Sequence, residues 1–255
     1  MLLLLLVLVT QPAPPPLQGS AALRKVIDDV RASYNRNEPP IVVFDLDGAL
    51  FDNRPRTAQI LHEYAEQDLR GIRPDPAARL SALTTPHISY MLTDTLTNAG
   101  VNEAAVVNNA AVFWSKRYFS DNYLHYDQPV PGAIDYVRTL YSNGARIVYL
   151  SSRDAARQLV GTTKLLLDRG CPIGIASTEI ILKPTQSTAD ATFKTQLMTY
   201  LRQHGKVMAI FDTQPLNANE YRRQFPEAMT FLVDGLKAPN QPPIDGAVIS
   251  VPTYN

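Results

Sequence analysis

Cysteine is almost missing from this chain. A single residue, Cys171, among 255 excludes an intramolecular disulfide and any cysteine-rich zinc site. Histidine is nearly as scarce. His62, His87, His125 and His204 are scattered with no two at ligand spacing, so a histidine metal centre is not expected. A bound metal would then be a hard ion held by oxygen. An excess of one charge is also lacking, because 24 Lys and Arg balance 24 Asp and Glu. A neutral chain has no bulk attraction to nucleic acid or to an anionic membrane surface. Charged residues are only 19% and hydrophobic residues 45%, which excludes a disordered chain and describes a globular one. No apolar run approaches the roughly 20 residues of a membrane-spanning helix, so stable membrane insertion is not expected.

The N-terminal segment stands apart. Residues 2–9 are wholly apolar, 10–16 carry four prolines, and Gly19-Ser20-Ala21-Ala22 is a patch of small residues. An apolar stretch leading to small residues is the layout of a secretory signal peptide, although no basic residue precedes it. Residues 1–22 are therefore read as a signal peptide or disordered leader outside the fold. The expectation is an exported protein, periplasmic or secreted, with a cytoplasmic protein bearing an apolar tail as the alternative.

Beyond the leader, short apolar runs alternate with helical patterns. The runs 41–44, 146–150, 179–182, 207–211 and 229–233 have the continuous apolar character of strands buried on both faces. Helical spacing marks 21–34, 132–142, 155–168, 189–203 and 217–224. This alternation predicts an α/β fold: a three-layer Rossmann-like core with a parallel sheet. The stretch 53–128 breaks the rhythm. It reads as helix over 57–69, 87–98 and 103–123 with no clear strand, so an all-helical cap is expected between core segments 23–52 and 129–255.

Four of the strands end in a residue capable of chemistry: Asp45, Ser151, Lys183 and Asp212. In an open parallel sheet, ligands bind beyond the carboxyl ends of the strands. The most informative ending is Phe44-Asp45-Leu46-Asp47-Gly48, with two carboxylates two residues apart and a glycine that lets the chain turn. Such a pair can hold Mg²⁺ and still leave an oxygen free to attack. An ordinary Asp-rich turn is the simpler alternative.

With its partners, this segment resembles the first motif of the haloacid dehalogenase superfamily: an apolar strand, then Asp, any residue, Asp, Gly. Val148-Tyr149-Leu150-Ser151 is similar to the second motif, and Ala209-Ile210-Phe211-Asp212 to the fourth. The resemblance covers about residues 40–234, and the insert falls where that superfamily places a helical cap. It implies an acid-phosphatase-like phosphomonoester hydrolase acting on a small phosphorylated substrate. By the resemblance, Asp45 is the nucleophile that forms an aspartyl-phosphate and Asp47 the general acid and base. Mg²⁺ would be held by Asp45, the Asp47 carbonyl and Asp212, and Ser151 would donate to a phosphoryl oxygen. Many members carry a second acid shortly after the position of Asp212. Here Asn217 stands near that place and Glu220 lies further into the helix, which implies weaker Mg²⁺ binding.

The superfamily's third motif is a lysine. Lys183 ends a strand, whereas Lys194 follows Asp190 by four residues on a helix, where the two can pair. Lys194 is favoured for the catalytic role, with Lys183 as an auxiliary phosphate contact. Ser151-Ser152-Arg153 together with Asp190 and Lys194 also looks like the phosphatase domain of phage-type polynucleotide kinases, which makes Ser152 and Arg153 phosphate-binding candidates. No P-loop accompanies them, and a nucleotide end remains a minor substrate class. Arg54 and Arg56 either meet substrate anions or face water. The aromatics Phe113, Trp114, Tyr118, Phe119, Tyr123 and Tyr126 are expected to pack the insert rather than form a lid. Two other functions stay open: a different reaction of the superfamily, such as dehalogenation, and a non-catalytic relative that binds a phosphorylated ligand.

Overall fold

The computed structural model describes residues 19–35 and 37–255, apart from the side chains of Asp190, Ala191, Lys194 and Thr195. Residues 1–18 of the expected leader thus lie outside the described residues, while 19–22 open the first helix. In chain order come α1 (Gly19–Ser33), β1 (Ile41–Asp45) and a two-residue strand β2 (Phe51–Asp52). The insert follows with α2 (Arg54–Tyr64), α3 (Pro74–Ser81), α4 (Leu92–Asn98) and α5 (Ala104–Tyr118). The chain returns through β3 (Gln128–Pro129) to α6 (Ala133–Ser142), β4 (Arg146–Asp154), α7 (Ala155–Asp168) and β5 (Thr178–Lys183). It ends with α8 (Asp190–His204), β6 (Val207–Asp212), α9 (Pro215–Gln224), β7 (Met229–Val233) and β8 (Ile249–Val251).

Six strands form one parallel sheet in the order β5-β4-β1-β6-β7-β8. Side chains alternate across it, as the period of a strand requires. Val42, Phe44, Ile147, Tyr149 and Phe211 face α1, α6 and α7, while Ile41, Val43, Val148, Leu150 and Ile210 face α8 and α9. Both faces are therefore dry, which explains why the strands read as unbroken apolar runs. The amphipathic stripe of α1, Ala22, Leu23, Val26 and Val30, is buried in the first of these layers. Cys171 is buried in the same layer, and burial pushes its thiol up to about 11, which leaves it a poor nucleophile at neutral pH.

The insert forms a helical cap with its own core. Ile60, Leu61, Leu80 and Leu96 are fully buried there, and truncating any one to Ala would cost about 2–5 kcal/mol. Two expected helices are shorter than their pattern. The one expected over 87–98 starts only at Leu92, because Pro86 sits in a separate 3₁₀ turn (Thr85–His87) in which the Thr84 amide donates to His87 Nδ1. The one expected over 103–123 ends at Tyr118, and the chain bends at Phe119 into a 3₁₀ segment (Asp121–Tyr126). The cap joins the core through a minimal antiparallel neck, in which Phe51 pairs with Pro129 and Asp52 with Gln128.

Between β1 and the neck lies a tight turn. The Leu46 carbonyl accepts hydrogen bonds from the amides of Leu50 (3.1 Å) and Phe51 (2.9 Å), and the Gly48 amide donates to the Phe51 carbonyl (2.7 Å). Gly48 sits at φ +87°, and a Cβ there would stand 2.8 Å from Thr213 Cγ2. Only glycine suits both conditions. Gly48→Ala should therefore lower stability by about 1–3 kcal/mol in urea denaturation, and a neutral result would show that the turn relaxes freely.

Candidate active site

Register brings the strand ends together. Phe44 pairs with Tyr149 on one side and Phe211 on the other, so Asp45 and Asp212 leave the sheet from adjacent strands, and Asp45 lies beside Leu150, just before Ser151. Strand β1 has the chain's earlier crossover on its β4 side and the later one on its β6 side, which makes this the switch point of the sheet. Below it the rings of Phe44, Phe211 and Phe231 form a continuous stack, with centroids 4.7 and 4.5 Å apart.

Asp212 is buried, and its carboxylate accepts from the Gln214 amide (2.7 Å) and from Asn217 Nδ2 (3.2 and 3.0 Å). Asn217 therefore meets Asp212 through its nitrogen, as a donor. Glu220 is turned elsewhere, onto Arg223 (2.6 and 3.0 Å), whose hydrogen bonds hold its carboxyl below the usual range.

Asp47 is the centre of the polar network. Arg153 grips its carboxylate with two bonds, Nε to Oδ2 (2.8 Å) and Nη2 to Oδ1 (2.9 Å). Arg56 Nη2 donates to Oδ1 (2.8 Å), Asn53 Nδ2 to Oδ1 (3.2 Å), and Ser151 Oγ to Oδ2 (3.1 Å). Behind the two arginines lies Asp127, fully buried. It accepts from Arg153 Nη2 (2.8 Å) and forms an ion pair with Arg56 Nε at 3.0 Å, without hydrogen-bond alignment. Arg56, also fully buried, donates through Nη1 to the Tyr118 carbonyl (3.0 Å) and lies 4.0 Å above the Tyr118 ring. The Tyr118 hydroxyl accepts in turn from Asn53 Nδ2 (2.8 Å). Two cations thus face two anions, and the cluster is neutral.

Burial pushes the Asp47 carboxyl up, but the guanidiniums of Arg153 and Arg56 outweigh it and hold the group well below the usual carboxylate range. Asp47 is therefore ionised here, and a carboxylate held this far down is a weak proton acceptor. Burial pushes Asp127 up to about 6, with the same two guanidiniums pulling the other way.

Asp45, Asp47, Ser151, Arg153 and Asp212 thus gather around the end of β1. Ser152 is exposed, and Asp154 takes the helix-capping role, accepting from the Arg157 amide (3.1 Å). Lys183 ends β5 two strands away, in register with Asp154, and is half-buried. The side chain of Lys194 lies outside the described residues. Arg153, expected as a phosphate fork, has its guanidinium on Asp47, Asp127 and Thr162 Oγ1 (3.2 Å). Arg56 neither faces water nor stands open to substrate.

Asp127 and Asn53 escaped the sequence reading, and Tyr118 was expected only to pack the insert. Asn53 and Asp127 flank the cap neck and Tyr118 ends α5, across separations that no local spacing reports. A cleft of about 470 Å³ opens beside the β4 and β5 ends, lined by Asp154, Ala156, Arg157, Thr185, Gln186 and Ser187.

Asp45 and Asp212 end adjacent strands, and their carboxylate oxygens are of the kind that could hold a hard ion. The Asp47 carboxylate is already occupied by guanidiniums. Among the described residues no group of three or more His, Cys, Asp or Glu side chains could hold a metal, so such an ion would complete its shell with backbone and water oxygens. No helix among the described residues is long and apolar enough to cross a membrane.

A parallel Rossmann-like sheet with a helical cap inserted after the first strand, and acids at the switch point, defines a class of capped α/β proteins. No protein-family model and no curated protein matches the sequence. Solved structures do match. A candidate phosphatase from Clostridium difficile is similar at a TM-score of 0.55 and 19% identity, covering 83% of this chain and 93% of its own. A candidate haloacid dehalogenase-like hydrolase from Burkholderia xenovorans is similar at 0.50 and 15%, covering 85% and 94%. The fold is the one shared with these solved structures.

Removing one member of the buried cluster leaves an uncompensated charge. Arg56→Met should destabilise the protein by about 3–5 kcal/mol in chemical denaturation, whereas an exposed pair such as Lys25–Asp29 should contribute about 0.5 kcal/mol or less.

Proposed function

We propose that the protein is a Mg²⁺-dependent phosphomonoester hydrolase working through an aspartyl-phosphate on Asp45. The observation that carries this reading is the gathering of Asp45, Asp47, Ser151 and Asp212 at the switch point of this fold. An Asp45 oxygen bonds to phosphorus as the ester oxygen leaves; for Asp47 to protonate that alkoxide it must first take up a proton, which requires Arg153 and Arg56 to loosen their hold on its carboxylate. In the second half-reaction Asp47, again a carboxylate, draws a proton from the attacking water, and the Asp45–phosphorus bond gives free phosphate. The guanidiniums that keep Asp47 ionised also make it a weak base, so this step too requires their hold to loosen.

Mg²⁺ would be held by Asp45, Asp212 and the Asp47 carbonyl, and would supply the positive charge that lets a carboxylate approach a phosphate. The Asn217 amide on Asp212, in place of a second acid, supports weak metal binding. Ser151 would donate to a phosphoryl oxygen after releasing Asp47. The leaving group of a small phosphorylated substrate would extend over the cleft beside β4 and β5. A non-catalytic phospho-ligand binder remains the competing reading, favoured by the tight hold of both arginines on Asp47.

Phosphate release from an aryl phosphate separates the two. Turnover should vanish with chelator and return better with Mg²⁺ than with Ca²⁺, and Asp45→Asn should abolish it. Asp47→Asn should slow it by about 10²–10⁴. Full activity of Asp45→Asn would overturn the covalent mechanism, and wild-type protein that releases no phosphate would favour the binder.

The lysine role is decided by two single variants. Lys194→Ala should cut kcat about a hundredfold or more, since a charge at the developing oxyanion contributes roughly 3–4 kcal/mol in comparable sites. Lys183→Ala should mainly raise KM. The opposite pattern would assign the catalytic role to Lys183.

A further inference from the structure

Tyr254 belongs to none of the motifs, yet it reaches the underside of the catalytic turn. Its backbone amide donates to the Pro131 carbonyl (3.0 Å), on the segment that returns from the cap. Its ring lies in the aromatic layer beneath the site, with centroids 6.2 Å from Phe44, 5.4 Å from Phe211 and 5.4 Å from Tyr136. Phe44 immediately precedes Asp45, and Phe211 immediately precedes Asp212. The hydroxyl, buried, donates to the carbonyl of Ala49 at 3.1 Å, across 205 residues of sequence. Ala49 lies inside the turn that carries Asp47 and Gly48, and it is itself fully buried.

The surroundings are shaped for this contact. Gly132, at φ +79°, leaves room for the chain at Tyr254, and a Cβ there would stand 2.9 Å from the Tyr254 carbonyl carbon. Burial, with Tyr136, Asp45 and Asp212 nearby, pushes the phenol well above its ordinary range, so it remains a donor. The turn's own hydrogen bonds run through Leu46, Gly48, Leu50 and Phe51, and none of them uses the Ala49 carbonyl. That carbonyl is buried, and a buried acceptor that loses its donor drives the backbone to seek another partner.

We propose that Tyr254 is a positioning residue for the catalytic turn. Its hydroxyl fixes the Ala49 peptide, and through it the placement of Asp47 relative to Asp45. The catalytic part of this claim rests on the hydrolase reading above, while the structural part does not. Misplacing reacting groups by about 1 Å can cost on the order of 10²-fold in rate, so a partly relaxed turn should cost less than that.

The test compares two phenols of one aromatic layer in the intact chain. Tyr254→Phe keeps the ring and removes the bond to the turn. Tyr136→Phe does the same to a buried hydroxyl that donates to the Leu23 carbonyl on α1 (3.0 Å), away from the turn. Both should lower the melting temperature. Only Tyr254→Phe should reduce kcat for an aryl phosphate, by about tenfold with KM changed less than twofold. Only Tyr254→Phe should raise amide hydrogen exchange at Gly48, Leu50 and Phe51, by about tenfold or more. Equal effects of the two variants on kcat and exchange, or wild-type values for Tyr254→Phe, would overturn the proposal. Wild-type protein without phosphate release would defeat the hydrolase reading, and the exchange comparison would then decide the positioning of the turn alone.

Discussion

Two guanidiniums set between two carboxylates determine how the upper half of this molecule is arranged. Arg56 belongs to the first helix of the cap and Asp127 to its exit, while Asp47 and Arg153 belong to the core. Arg56, Arg153 and Asp127 are removed from bulk water and none of them would be tolerated there alone, while Asp47 stays partly exposed at the edge of the cluster. The cluster therefore forms only when the cap neck, the turn after β1 and the end of β4 are all in place. Cap docking and the orientation of Asp47 are one event, because the same arginines serve both.

The aromatic layer below performs the complementary task. The Phe44–Phe211–Phe231 stack joins three adjacent strands just beneath the acidic residues, so Asp45 and Asp212 stand on a floor that resists independent movement. Polar precision above the sheet and dense packing beneath it act on the same few backbone atoms.

Much of this was legible in the residues. The apolar runs ending in Asp45, Ser151 and Asp212 announced both the strands and the edge where chemistry could sit, because a doubly covered strand has a composition that few other elements share. The insert was recognisable for the opposite reason, its lack of such runs. What escaped lies where sequence distance is large or elements are very short. The β2 and β3 strands have two residues each and β8 has three, too few for any periodicity. Arg56 and Asp127 are 71 positions apart, and nothing near either one marks the other. Arg153 was visible as a basic residue in a suggestive place, but its partners are set by tertiary structure, since side-chain forks follow whichever carboxylates the fold delivers.

The neck bears on how such a chain can fold. Strand β1 must wait for β4, about a hundred residues downstream, before it gains its first neighbour, and closing so long a loop is entropically unfavourable. The cap, however, is built from contacts within its own 75 or so residues, and its two ends meet at the pairing of Asp52 with Gln128. Once the cap has condensed, the open loop between β1 and β4 shrinks to the few segments on either side of the neck. The inserted cap thereby acts as a chain-shortening device, bringing the two halves of the core within reach of each other before the sheet exists.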